Sequence, residues 1–162
     1  MKLRTKISLP VGVLSMVVLS SAVAGDMRSM DGTISTQDST EMMPVDDAHI
    51  VIRSNNSGTI AFSDETHPMH GATGGCSGTM LMAKGNLTGG GYCTYKDTAG
   101  DSSIVKFTAT GMNEKGGTSG TWEMVGGTGK YIGATGGGTY NAVPNEERTA
   151  SVNTITGDLK LK

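Results

Sequence analysis

Short runs of alternating side chains, separated by glycine clusters, occupy most of this chain. Glycine occurs 25 times in 162 residues, and this abundance disfavours long helices. No window shows apolar residues at a helical spacing. Residues 104–110 instead alternate, with Val105, Phe107 and Ala109 on one side and Ile104, Lys106 and Thr108 on the other. About eight such runs occur, with turn signals at the spacing typical of a sandwich or barrel. The sequence therefore predicts an all-β domain. Closure into an antiparallel barrel would remove exposed strand edges.

The first part of this domain carries a hairpin pattern. Residues 49–53 and 59–62 have strand-like composition, and residues 55–58 between them read Asn-Asn-Ser-Gly. Clusters of this kind are typical of turns. We therefore expect two short paired strands joined at residues 55–58.

The segment before the domain, residues 25–46, is acidic and rich in Ser, Thr and Asp. It shows neither a strand nor a helix period, and such composition buries too little apolar surface to offset chain entropy. Methionines supply most of its larger side chains. The sequence predicts a flexible, acidic, methionine-containing tail over residues 25–46 and a barrel domain over residues 47–162.

Residues 1–24 have the layout of a secretory signal peptide. A basic start with Lys2, Arg4 and Lys6 precedes a short apolar run and a small-x-small exit ending at Ala24. The apolar run is shorter than the roughly 20 residues that a spanning helix needs. We expect cleavage after Ala24 and a secreted or periplasmic protein without a stable membrane anchor.

The chain contains two cysteines, Cys76 and Cys93, both beyond the predicted cleavage site. In an oxidising compartment such a pair is most simply a disulfide. Closing a loop of this length would stabilise the fold by about 3 kcal/mol in the chain-entropy model. A zinc or redox site would need more ligands or a C-x-x-C spacing.

Charge and motifs exclude several function classes. Residues 48–162 carry nine basic and nine acidic side chains, so no electrostatic footprint for nucleic acid is present. The glycine-rich stretch around Gly129 and Lys130 does not match the P-loop pattern, because Met124 stands where the first glycine belongs and Tyr131 stands where Ser or Thr belongs. The stretch also lacks the third glycine of a dinucleotide-binding motif. The sequence therefore predicts no cofactor, and no nucleophile elbow or other catalytic set is recognisable.

The same stretch resembles a known family. Residues 126–131 read Gly-Gly-Thr-Gly-Lys-Tyr, Gly-Ala follows at 133–134, and a glycine-rich strand ends in Thr139-Tyr140. This pattern resembles the allene oxide cyclase and dirigent type of barrel. It is more closely similar to small exported bacterial proteins with that barrel, which residues 91–93 and 96–101 also fit. The resemblance covers roughly residues 71–161.

The resemblance implies a barrel interior that holds an apolar ligand and, in the plant cyclases and dirigent proteins, steers ring closure or coupling. No polar residue of those cavities can be matched to a position in this chain, so the resemblance carries over the fold and not the catalysis. Four side chains are candidates for the lining of a ligand cavity: Tyr92, Tyr95, Glu123 and Tyr140.

One loop and one turn suggest metal chemistry. His67, Met69 and His70 lie close together in sequence and offer ligands suited to copper. Asp97 and Asp101 flank a glycine turn, but Ala99 interrupts a calcium-type loop, so a hairpin turn with solvated carboxylates is the better interpretation.

Three hypotheses about function remain. The first is an exported non-enzymatic barrel that binds a small apolar molecule or a protein partner. The second is a cyclase-like or dirigent-like isomerase that acts in the barrel cavity, and the third is a copper-binding protein that uses His67, Met69 and His70.

Overall fold

The computed structural model describes residues 25–162. The predicted signal peptide, residues 1–24, lies outside the described residues, so the leader and its cleavage after Ala24 stay predictions. None of the described residues forms a helix long and apolar enough to cross a membrane.

The described chain is built from nine strands and one short 3-10 turn, as the alternating pattern predicts. The strands are β1 (Met27–Ser29), β2 (Gly32–Asp46), β3 (His49–Phe62), β4 (Thr73–Ala83), β5 (Asn86–Lys96), β6 (Ser102–Met112), β7 (Thr118–Gly127), β8 (Thr135–Pro144) and β9 (Ala150–Lys160). The 3-10 turn, Gly129–Tyr131, joins β7 to β8.

All pairings are antiparallel, and the sheet closes on itself. Strands β2 to β9 follow one another around the barrel, β9 pairs with both β8 and β2, and the short β1 adds to β9. Paired residues followed once around the barrel from Met42 return to β2 at Gly32, ten residues away. Such a stagger tilts the strands and opens the interior of an eight-stranded barrel. The prediction of an eight-stranded antiparallel barrel is confirmed.

The predicted flexible tail is wrong for residues 27–46. Residues 32–46 form the long strand β2, which pairs with β3 along its whole length and with β9 from Gly32 to Gln37. This strand cannot be recognised from an apolar pattern, because its inward side chains Thr36, Asp38 and Thr40 are as polar as its outward ones. An apolar alternation therefore never appears, although β3 pairs with the backbone along the whole strand and β9 pairs with its first part.

The predicted hairpin within residues 49–62 is also wrong. Residues 55–58 continue β3, and the strand runs unbroken between β2 and β4. The amide oxygen of Asn56, within the predicted turn, accepts a hydrogen bond from the backbone N–H of Cys76 (2.9 Å). The real β2–β3 turn lies at residues 47–48.

The barrel has one closed end. The β3–β4 loop, residues 63–72, the 3-10 turn and Met30 lie there, and the main core cluster includes Ile60, Met69 and Tyr131, each about 1% exposed. The turns β2–β3, β4–β5, β6–β7 and β8–β9 all lie at the opposite end. This arrangement leaves the interior accessible from the turn end.

Candidate functional site

The barrel interior contains a cavity, and we call this cavity the lumen. Its volume is about 550 Å³, and it extends from Met30 and Met69 near the closed end to Gly116, Glu147 and Arg148 in the turns of the other end. Eight-stranded barrels either fill their interior with side chains or hold one small ligand. The lumen volume lies within the usual range of small-molecule sites.

Most of the lumen wall is apolar and adaptable. Phe107, Trp122 and Ile155 line it together with six methionines, which are Met30, Met42, Met69, Met80, Met82 and Met112. Unbranched thioether side chains fit irregular shapes and contact aromatic rings favourably. Such a wall suits an apolar molecule of variable shape.

The glycine-rich strand β8 makes room for the tryptophan. Gly138 pairs with Trp122 on one side and with Gly157 on the other. The indole Nε1 of Trp122 donates to the carbonyl oxygen of Thr156 in β9 (3.0 Å), so the ring spans β8. A Cβ at Gly138 would collide with the backbone of β9. The glycine signature thus serves close strand approach, as the sequence indicates.

The two cysteines form the predicted disulfide. Cys76 and Cys93 lie directly opposite each other in β4 and β5 and are bonded, with an S–S distance of 2.00 Å. Both line the lumen. The Tyr95 hydroxyl lies 3.4 Å from Cys76 Sγ, and burial raises the pKa of Tyr95 to about 12. The disulfide therefore ties two lumen-lining strands together.

A chain of hydrogen bonds forms the polar part of the lumen wall. The Thr36 hydroxyl donates to Asp38 Oδ1 (2.7 Å), Thr36 Oγ1 and Ser151 Oγ lie 2.8 Å apart, and Asn153 Nδ2 donates to Ser151 Oγ (3.4 Å). All four residues line the lumen. The adjoining strands β2 and β9 thus hold a carboxylate and its supporting hydroxyls in the wall of a mostly apolar cavity.

Tyr140 contributes a second polar group. Its ring packs edge-to-face on Phe107, with 6.2 Å between ring centroids, and its hydroxyl is buried without a hydrogen-bond partner in the described part of the chain. Burial raises the pKa of Tyr140, and the nearby Thr118 side chain opposes this effect in part. A buried hydroxyl left unpaired costs free energy that a ligand could recover.

The four predicted cavity residues divide into two pairs. Tyr95 and Tyr140 line the lumen. Tyr92 is 57% exposed, and Glu123 is also exposed, so both side chains lie on the outer surface. Alternation explains this result, because the inward side chain of Cys93 turns its neighbour Tyr92 outward and that of Trp122 does the same for Glu123.

Sequence reasoning missed the polar residues of β2 and β9. Thr36 and Asp38 lie in the segment predicted to be a tail, and no apolar alternation marks that strand. The inward residues Thr36, Asp38 and Thr40 are no more apolar than the serines beside them, and such composition is equally typical of disordered segments.

The three predicted copper ligands, His67, Met69 and His70, are engaged in different contacts within the protein. The backbone N–H of Met69 donates to His67 Nδ1 (3.2 Å), and the His67 ring packs against Phe62 with 3.7 Å between centroids. Met69 is 1% exposed and belongs to the core, while His70 Nδ1 accepts a hydrogen bond from the Phe62 N–H (3.2 Å). Among residues 25–162, no three His, Cys, Asp or Glu side chains are placed to hold a metal ion. Copper binding through His67, Met69 and His70 stays a prediction.

The solvated-carboxylate interpretation of the Asp97 turn needs correction. Residues 97–101 do form the β5–β6 turn, but the Asp97 side chain is only 1% exposed and pairs with Lys130. The carboxylate oxygens of Asp97 accept hydrogen bonds from groups of the protein itself.

In sequence, the chain matches no known protein family and no curated protein. In structure, it is similar to a pterocarpan synthase dirigent protein, with a TM-score of 0.55 and 13% sequence identity over 92% of this chain and 97% of that one. At this level of identity the likeness shows the fold alone. The chain has a dirigent-like β-barrel fold. The likeness to the allene oxide cyclases and to exported bacterial proteins stays a prediction.

Proposed function

We propose that the chain binds a small, mostly apolar organic molecule in the lumen. The observation that carries this proposal is an accessible cavity of about 550 Å³ whose walls are rich in methionine and aromatic side chains. Apolar pockets with a few convergent polar groups are the usual form of small-molecule sites. The unpartnered Tyr140 hydroxyl and the Asp38 carboxylate supply such groups.

The proposed place of action is outside the cytoplasm. The Cys76–Cys93 disulfide supports it, because disulfides persist mainly in oxidising compartments. The signal-peptide pattern of residues 1–24 points the same way. Intact-mass measurement of the protein recovered from its native compartment tests both, with a chain that begins at Gly25 as the expected result.

Native mass spectrometry of the same material tests ligand binding. We expect a mass excess of a few hundred daltons, typical of a molecule that fits this cavity, and we expect it to vanish on denaturation. A bare mass for protein isolated without any solvent extraction would contradict the proposal. A mass excess equal to one copper ion would instead favour the metal hypothesis.

A second function, isomerisation of the bound molecule, is favoured by one observation. The lumen wall presents a carboxylate, Asp38, and a buried hydroxyl, Tyr140, whose pKa is raised by burial and which therefore stays protonated. A base and a proton donor that line the same cavity are the kinds of group that proton-transfer isomerisation requires. The structural neighbour is a pterocarpan synthase by name, and for this chain any such activity is a proposal only.

Extraction of the bound molecule distinguishes the two functions. If the chain is an isomerase, the molecule released from Asp38→Asn protein should have the same mass as that from the unchanged protein but a different chromatographic retention. If the chain only binds, both proteins should release the same compound.

A further inference from the structure

The hydrogen bonds on the polar wall of the lumen have a direction. Two acceptors lie near the single proton of the Thr36 hydroxyl, Asp38 Oδ1 at 2.7 Å and the carbonyl oxygen of Ser151 at 3.3 Å. The carboxylate oxygen is the nearer and the stronger acceptor, so the proton points to Asp38. The 2.8 Å contact between Thr36 and Ser151 then requires Ser151 to donate. The Asn153 amide donates to Ser151 in turn. The proton of each hydroxyl in this chain is therefore already used.

The direction of these hydrogen bonds determines whether the polar wall offers a ligand donors or acceptors. Asp38 lines the lumen, and its Oδ1 accepts from Thr36, whereas no hydrogen bond among residues 25–162 uses its Oδ2. None of the four ion pairs formed among residues 25–162 includes Asp38. A lumen carboxylate without a cationic partner disfavours an anionic ligand and favours a cationic donor.

The other charged side chains of the lumen lining, at the turn end of the barrel, do not reverse this preference for a cationic ligand. Glu147 adds a second negative charge to the lining. The one lining cation, Arg148, is exposed and donates from Nη1 to the carbonyl oxygen of Gly116 (3.2 Å), so it bridges two turns of the rim. The charged side chains of the lining therefore sum to one net negative charge.

The apolar wall is also compatible with a cation. The rings of Phe107, Trp122 and Tyr140 line the lumen, and aromatic faces attract ammonium groups once these are removed from water. We propose that the lumen selects an apolar molecule that carries a protonated amine, with the ammonium group donating to Asp38. This inference rests on the proposed function and adds the chemical class of the ligand.

Three probes, each with the same ten-carbon chain but a different head group, test the inference. Decylammonium, 1-decanol and decanoate are titrated into the protein at neutral pH, and the fluorescence of Trp122, the single tryptophan of the chain, reports entry into the lumen. We expect decylammonium to bind about tenfold more tightly than 1-decanol, as a charge-assisted hydrogen bond gives, and decanoate to bind most weakly.

Two variants separate a direct contact from the general effect of charge. Asp38→Asn should lower the affinity for decylammonium to that of 1-decanol, while the affinity for 1-decanol changes by less than about threefold. Glu123→Gln removes one negative charge from the exposed outer face of β7 and should leave the order of the probes unchanged. Unchanged binding of 1-decanol also shows that the lumen of each variant is intact.

Each possible result has a clear meaning. Equal binding of the three probes, tightest binding of decanoate, or an ammonium preference that survives in Asp38→Asn would overturn the inference and leave the proposed function standing. If none of the probes binds to the unchanged protein, the proposed function itself fails.

Discussion

Lys130 and Asp97 form an ion pair at the closed end of the barrel, with 2.8 Å between Lys130 Nζ and Asp97 Oδ2. The Tyr131 hydroxyl donates to the same oxygen (3.0 Å), and the backbone N–H groups of Ala99 and Asp101 donate to Oδ1. Burial alone would raise the pKa of Asp97, but these hydrogen bonds and the Lys130 charge outweigh it and hold the pKa below its ordinary value. The group joins the β5–β6 turn to the 3-10 turn.

Replacing Asp97 by Asn should destabilise the fold. The change removes the acceptor for Lys130 and leaves partly unpaired donors around a buried position, which typically costs about 2–3 kcal/mol. Urea unfolding at neutral pH measures the loss. Asp158→Asn, on the exposed face of β9, is the matched control and should change the free energy of unfolding by less than about 0.5 kcal/mol.

The contribution of Asp97 should disappear in acid. Because its folded pKa lies below the ordinary value of 3.8, the unfolded chain binds the proton first as the pH falls, and stability decreases through that range. The difference between the unchanged protein and Asp97→Asn should therefore be full at neutral pH and shrink as the pH falls below the ordinary value and through the lower folded pKa. A constant difference across this range would show that Asp97 acts only through its shape.

A side chain at Gly138 should disrupt the barrel wall. Gly138→Val places a Cβ against the backbone of β9 and beneath the Trp122 indole, so we expect a loss above about 3 kcal/mol or failure to fold. Thr139→Val changes the next residue, which is exposed on the outer face, and should cost less than about 1 kcal/mol. Thermal unfolding compares the two, and equal losses would refute the packing role of Gly138.

Loss of the disulfide should weaken the barrel without opening it. Replacing Cys76 and Cys93 together by Ala should lower the free energy of unfolding by about 3 kcal/mol, because the loop of 17 residues is no longer constrained in the unfolded chain. The circular dichroism spectrum should keep its β form, since the two strands remain paired over their whole length. Denaturant unfolding with and without reductant measures the effect on the unchanged chain.

The sequence predicted the part of the fold where the usual signals are strong. Alternation around Phe107 and Trp122 led to the correct fold class, and the two cysteines led to the correct disulfide. Closure into a barrel followed from the need to remove exposed strand edges and from the resemblance carried by residues 126–140. Strand β2 was missed because its inward residues, including Asp38, line a polar wall and break the apolar alternation that sequence reasoning depends on.

Only part of the candidate site could be predicted from the sequence, for the same reason. Tyr95 and Tyr140 could be named as cavity residues. The face of Tyr92 depends on which of its neighbours points inward, and the three residues before it are glycines that give no alternation. The hydrogen-bonded wall of Thr36, Asp38 and Ser151 joins residues more than one hundred positions apart, and only the closing pair of strands β2 and β9 brings them together.

The most direct test of the ligand-binding lumen is a titration with N-phenyl-1-naphthylamine, an uncharged apolar dye that fluoresces when removed from water. We expect saturable binding to one site with a Kd in the micromolar range, about −8 kcal/mol. Thr40→Trp, which fills the lumen, should weaken binding at least about tenfold, whereas Ser39→Trp, on the opposite face of the same strand, should leave it within about twofold. Absence of binding, or equal effects of the two substitutions, would show that the lumen is not a ligand site.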